Sequence, residues 1–361
     1  MNDGIGATAS TASTAATMPA PAAAASHALR AAGQRRPSQF PTASAGSQPA
    51  ARMPAYTGAK PIRSCLRAEP VAGVPAVLAR GQAGLFDVVA DPSFSTSGEV
   101  LLSFAHGTPE ANHLRVVRAR FDGRQLQGVQ PVFTSQPAKR DTQHFGGRMA
   151  WLPDGTVLIG MGDGNLDRTD AQRLNTHLGK LLRIHPDGRV PADNPFVGRA
   201  DARPEIFSSG HRNPQGLVVV NGVPYAHEHG ARGGDELNRI RPGANYGWPI
   251  TTGGIDYTYA RITPYRSLPG IEPPLLEWTP SIAPAGLAWY DAALFPAWRG
   301  SLFVAALKER SVRRVPMAVD TPGPQDVLFT ELGERIRDVR VGPQGALYLL
   351  TDRSGPANLN R

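Results

Sequence analysis

One short pattern recurs along this 361-residue chain and limits the folds open to it: a tight turn ending in glycine, followed at once by an apolar, strand-like run. It reads Ser97-Gly98-Glu99-Val100-Leu101-Leu102, then Asp154-Gly155-Thr156-Val157-Leu158-Ile159, then Asn221-Gly222-Val223-Pro224-Tyr225. It returns as Arg299-Gly300-Ser301-Leu302-Phe303-Val304 and as Gln344-Gly345-Ala346-Leu347-Tyr348-Leu349. The five glycines lie 45 to 78 residues apart, and a four-stranded propeller blade takes roughly 40 to 50 residues plus its loops. The repetition predicts an all-β propeller whose longer units carry elaborated loops on one face. On pattern alone, an irregular β-sandwich of hairpins is the alternative. A helical bundle is excluded, because 39 Gly and 34 Pro interrupt any stretch of helical period.

The first 50 residues include 16 Ala among many Ser, Thr and Pro, with almost no large apolar side chains. Such a segment cannot bury enough surface to offset its ordering entropy, so residues 1–66 are expected to be a disordered tail ahead of a folded domain at 67–361. Charge divides the same way. The tail holds six basic residues against Asp3 alone, a net of +5, leaving +3 of the total +8 for the other 295 residues. A nearly neutral body lacks the basic surface that nucleic-acid binding rests on. No run approaches the eighteen or so apolar residues of a membrane span. Cys65 is the single cysteine, which excludes an internal disulfide and any Cys-built zinc or iron-sulfur site. Met1 to Ala25 has neither a basic start nor an apolar block, so no export signal is expected there.

Polar residues with little structural purpose cluster just after the strand-like runs. Gln143-His144-Phe145-Gly146-Gly147-Arg148 is followed by Gly160-Met161-Gly162-Asp163-Gly164-Asn165 at the end of the next run. A lone histidine is usually structural. Asp163, however, leaves a strand that can pair beside His144, and a carboxylate on one imidazole nitrogen leaves the other as a base near neutral pH. A second cluster, Ser209 to Gly216, packs His211, Arg212 and Asn213 into a Gly- and Pro-bounded turn; a loop held by its own side chains is the structural alternative. The third, His227 to Glu236, has two histidines with only one residue between them, which is not a zinc spacing. Its acidic side chains and Gly-rich carbonyls suit a hard cation such as calcium better. Lys308 follows the fourth apolar run, and Arg335 and Arg337 share one face of a strand. Three cations on one rim suggest a ligand with several carboxylates or phosphates, although on spacing alone a solvated basic edge fits as well.

These stretches, together with Gly81-Gln82-Ala83-Gly84-Leu85, Leu178 to Arg183, Asp193 to Phe196, Asn245 to Pro249 and Leu350 to Asp352, occur in one order across residues 67–361. In that order the chain resembles the soluble pyrroloquinoline quinone (PQQ)-dependent sugar dehydrogenases, above all their aldose sugar dehydrogenase branch. The resemblance implies a six-bladed β-propeller that oxidises aldoses at the anomeric carbon and passes electrons to an acceptor the residues do not identify. It makes His144 the base, with Asp163 orienting it and Arg212 stabilising the developing oxyanion. Gln82, Arg212, Asn213, Lys308, Arg335 and Arg337 would hold PQQ. The carbonyls of Gly230 and Ala231 would bind the active-site calcium, with Asp235 a neighbour of that site; Glu236 and the carbonyl of Tyr246 would bind a second, structural calcium. The family's entry strand and His-Pro-Trp first blade have no counterpart in residues 1–66, so an incomplete first blade is expected. The family is also exported to the periplasm, for which this sequence shows no signal. Two rivals are a non-catalytic propeller that binds a partner through its loops, and a calcium-dependent propeller lactonase. The first would not need the cofactor residues as a set; the second would need an acidic and Asn cage where these loops supply mainly cations and amides.

Overall fold

A computed structural model describes residues 69–352, so the expectation of a disordered tail over 1–66 lies outside the described residues. The chain forms successive antiparallel sheets. The first comprises β1 (Leu85–Ala90), β2 (Glu99–Thr108), β3 (Ala111–Phe121) and β4 (Leu126–Thr134). The second comprises β5 (Gly146–Trp151), β6 (Val157–Met161), β7 (Lys180–Ile184) and β8 (Ile206–Ser209). The third comprises β9 (Pro214–Val220), β10 (Val223–Glu228), β11 (Asp235–Arg239) and β12 (Leu276–Trp278). β13 (Pro284–Tyr290), β14 (Ser301–Ala306), β15 (Ser311–Ala318), β16 (Thr321–Pro322) and β17 (Asp326–Leu328) make the fourth, and β18 (Arg335–Val341) pairs with β19 (Leu347–Asp352) in the fifth. Helix is confined to Phe94–Ser97 and three single 3₁₀ turns among the described residues, and no helix there is long and apolar enough to cross a membrane.

Each recurring glycine falls between the first and second strand of its sheet. Gly98, Gly155, Gly222, Gly300 and Gly345 all take positive φ, from 67° to 82°, which is why the turn residue must be glycine. Strand texture follows position. β6 and β14 are buried along their whole length and read as continuous apolar runs, whereas β3 alternates in and out. Neighbouring sheets stack face to face through shared cores. Leu101 and Val116 meet Met149 and Ile159; Leu158 and Phe207 meet Leu217 and Ala226; Tyr225 and Leu237 meet Leu302 and Val304; Phe303 and Val312 meet Ile336 and Val339. This serial stacking is the packing of a propeller. The first sheet takes four strands from residues 85–134, and β18–β19 has two among the described residues; the expectation of an incomplete first blade rests on residues 1–66, outside them.

The first strands line the common axis, and there lies a feature that sequence reading missed. Arg148 of β5 reaches Asp338 of β18 at 3.3 Å and Asp87 of β1 at 3.7 Å, and Arg340 of β18 bonds the same two carboxylates at 3.2 Å each. Burial alone would push the Asp338 carboxyl up, but the two arginines hold it below the usual carboxylate range. Asp87 and Arg340 are 253 positions apart, so this charged core ties the last sheet to the first.

Candidate active site

Because each sheet begins with a strand of the same direction, the loops before β1, β5, β9, β13 and β18 share one face with those after β6, β10 and β14. That face collects the residues singled out above. His144 immediately precedes β5 and Asp163 follows β6, strands that pair from Gly146 to Met161. His144 Nδ1 lies 2.7 Å from Asp163 Oδ1. An ionised carboxylate only accepts, so Nδ1 carries the proton and Nε2 is the basic nitrogen. Asp163 Oδ1 also accepts the Asn165 N–H at 2.8 Å, and Oδ2 accepts the Trp248 indole N–H at 2.7 Å. Trp248 was missed in this role, although it lies inside one of the matching stretches.

His144 has φ 47°, a left-handed backbone that a residue with a Cβ adopts only under constraint. Its N–H donates to Gln82 Oε1 at 3.0 Å, and a Cβ at residue 162 would stand 2.2 Å from its carbonyl oxygen, so Gly162 is required there. Burial, then the Arg212 charge, pushes the imidazole below the usual histidine range against the pull of Asp163. Asp163 would be raised by burial, but His144, Arg212 and the Asn165 amide hold its carboxyl low. The pair is therefore neutral imidazole and carboxylate at neutral pH.

Arg212 is buried, with its guanidinium 5.2 Å from the Trp248 ring and Nη1 on the carbonyls of His229, at 3.2 Å, and Gly230. Its Nε is buried without a hydrogen-bond partner. The turn beneath is built on Glu228, whose part here was not anticipated: its carboxylate takes the backbone N–H groups of Arg212 and Asn213 and the ring of His211 at 2.9 Å. Asn213 Oδ1 is occupied by the N–H of Gly146 and the amide of Gln215, leaving its NH₂ for any ligand. Asp235 is an anchor of the same kind. It accepts from Gly230 N at 2.9 Å and from Ser281 Oγ, Ile282 N and Ala283 N at 2.6 to 2.9 Å, while Lys308 N bonds Ile282 O.

Lys308 is exposed on this face. Arg335 and Arg337 lie 3.7 and 2.8 Å from Asp352, one carboxylate between two guanidiniums, and Arg335 Nε is buried without a hydrogen-bond partner. Glu236 lies between Glu228 and Glu277 in register across β10, β11 and β12. Burial and these like charges push its carboxyl well up, and beside it Asn238 Oδ1 is buried with no partner. Tyr246 donates its N–H to Ser209 O at 2.9 Å, stacks on His211 at 4.8 Å, and so stands next to the Glu228 turn. Among the described residues no three His, Cys, Asp or Glu side chains converge on one point.

The two histidines of the third cluster face backbone carbonyls, His227 Nε2 that of Gly286 at 3.2 Å and His229 Nε2 that of Pro284 at 2.7 Å, tying β10 to β13. Burial pushes His227 down to about 3. Unfolded histidine titrates near 6.5, so below that pH only the unfolded state binds this proton. Stability should therefore fall by about 1.4 kcal/mol per pH unit from this residue between pH 6.5 and its folded value. Denaturation of His227→Asn beside the parent chain checks this: the parent's extra loss of stability between pH 6.5 and 4 should be absent in the variant.

Over residues 62–360 the chain matches the family model Glucose / Sorbosone dehydrogenase. The chain belongs to this family. Aldose sugar dehydrogenase YliI of Escherichia coli is 39% identical over 79% of this chain and 78% of its own length. A solved glucose dehydrogenase is 44% identical, covering 79% of this chain and 84% of that one with a TM-score of 0.77. The PQQ-bound aldose sugar dehydrogenase of Streptomyces coelicolor is 30% identical, covering 78% and 77%, with a TM-score of 0.62. The chain is thus an oxidoreductase of the sugar dehydrogenase family.

Proposed function

We propose that this chain oxidises aldoses at the anomeric carbon to lactones, with PQQ as hydride acceptor, calcium beside it and His144 as general base. The observation that carries the reading is the His144–Asp163 pair, whose free Nε2 is held neutral and basic on a face lined with guanidiniums. The names of the E. coli and S. coelicolor relatives support the substrate class and the cofactor. The same reading extends the stacked sheets to a six-bladed ring and gives residues 67–361 to one catalytic domain.

The residues present fit the cofactor. Arg212 and Arg335 each carry a buried Nε without a hydrogen-bond partner, and with Lys308 and Arg337 they supply more positive charge than Asp352 answers, which suits a ligand bearing several carboxylates. They also fit calcium. The carbonyl of Gly230 is turned toward a cation, the Arg212 guanidinium, and Ala231 follows it; Glu236 with the unpartnered Asn238 Oδ1 is a second oxygen site short of positive charge, beside Tyr246. Bound PQQ supplies the electron sink for a hydride from the sugar's C1. His144 Nε2 takes the proton of the anomeric hydroxyl, Asp163 holds the Nδ1–H and stabilises the imidazolium, and Arg212 steadies negative charge that develops on oxygen. Gln82 and the NH₂ of Asn213 complete the rim. A lactonase would instead need several acidic side chains around a central metal.

Binding is the test. Titration of calcium-loaded protein with PQQ should saturate at one per chain, and Arg335→Met should weaken it about 10- to 100-fold, the worth of a lost charged hydrogen bond. Equal affinity in the variant would remove Arg335 from the site.

A further inference from the structure

Lys139 is 1% exposed and takes no part in the roles assigned above. Its backbone is fixed to β3 by reciprocal bonds with Asn112, its stem packs on Gly164, and its ammonium sits 3.5 Å from the Phe145 ring centroid. The ammonium donates to the carbonyls of Asp141 and, at 2.8 Å, Gln143. An ammonium buried on carbonyls, without a carboxylate in hydrogen-bond contact, is costly to keep. What it holds is informative. The Gln143 carbonyl and the His144 N–H belong to one peptide plane, and Gln82 Oε1 takes the N–H at 3.0 Å. The plane is gripped at both ends, and the residue after it is the one with φ 47°.

We infer that Lys139 is a positioning residue for the reaction: with Gln82 it locks the peptide preceding His144 and so aims the imidazole at the substrate. The inference rests on the reading of His144 as the base. The surroundings agree with it. The charges facing Lys139 are Asp141, Asp163 and Asp167, and burial outweighs them to push the ammonium down to about 7. His144 in turn feels Arg212, Asp163 and Lys139, the arginine and the lysine both disfavouring its protonation. Lys180 gives an internal contrast. It is equally buried and holds the carbonyls of Asp170, Ala171 and Leu178 at 2.7 to 2.9 Å, none of them in the His144 peptide.

The test uses the PQQ- and calcium-loaded protein and Lys139→Met, which keeps the stem and removes the charge. The expected result is a kcat lower by about 10- to 100-fold, the scale of a misplaced reacting group, with KM for the aldose and PQQ affinity unchanged. The His144 imidazole, followed by NMR, should titrate at higher pH in Lys139→Met and at the parental pH in Lys180→Met. Unchanged kcat with an unchanged His144 midpoint, or a loss confined to PQQ affinity, would overturn the inference. Should the variant not fold, the parent chain decides: with ¹⁵N-lysine labelling, the His144 signals should show a second inflection at the midpoint of the Lys139 ammonium, and its absence overturns the proposal. This coupling is read without turnover, so an inactive parent would count against the dehydrogenase reading and not against the clamp.

Discussion

His144→Ala should lower kcat by about 10²- to 10⁴-fold, the range for removing a general base, while PQQ affinity should stay close to the parent's. The separation follows from geometry: Nδ1 is committed to Asp163, and the cations assigned to the quinone, Arg212, Lys308, Arg335 and Arg337, lie on other segments, the last two on β18. Asp163→Asn should move kcat in the same direction by less, because Asp163 only orients and polarises the imidazole, although one of its donors, Trp248 or Asn165, then faces the new amide NH₂. In the parent, the acid limb of kcat/KM should fall below pH 6.5, since burial and Arg212 disfavour imidazolium and the active base survives to lower pH. Steady-state kinetics against pH with a PQQ titration of each variant checks all three. Near-parental turnover in His144→Ala would return His144 to a structural role.

The second large effect is on stability. Arg148→Met leaves Asp87 and Asp338 facing each other on the propeller axis with Arg340 as their remaining shared cation, and Arg148's bond to Gln215 O is lost as well. Removing one partner from a buried charge network costs about 3 to 5 kcal/mol, because the partners left behind stay desolvated. Chemical denaturation should show that loss. A change under about 1 kcal/mol, within the range of exposed pairs, would mean that the network does not hold the first and last sheets together.

Much of the architecture was legible because its signals are local. Each of the five glycine turns marks the hairpin between the first two strands of a sheet, and the positive φ that glycine supplies is a property of the turn itself. His144 and Asp163 could be paired from sequence because one hairpin joins them. What stayed hidden is long-range. Nothing near Asp87 in the chain announces Arg340, and Arg148, singled out only as the end of a matching stretch, belongs to the axis rather than the site. Trp248 is 85 positions from the carboxylate it holds, and Glu228 and Asp235 work by accepting backbone N–H groups, which leaves no pattern of residue types to read. Lys139 carries no mark in the sequence, and only its burial on two carbonyls sets it apart.

The most direct test is a single turnover. Protein loaded with calcium and one equivalent of PQQ, mixed anaerobically with a common aldose, should yield one lactone per bound cofactor. The rate should slow several-fold when the sugar carries deuterium at C1, since that hydrogen is the one transferred. With PQQ demonstrably bound, the absence of lactone from every common aldose, or a rate indifferent to deuterium at C1 when chemistry limits the turnover, would contradict the account.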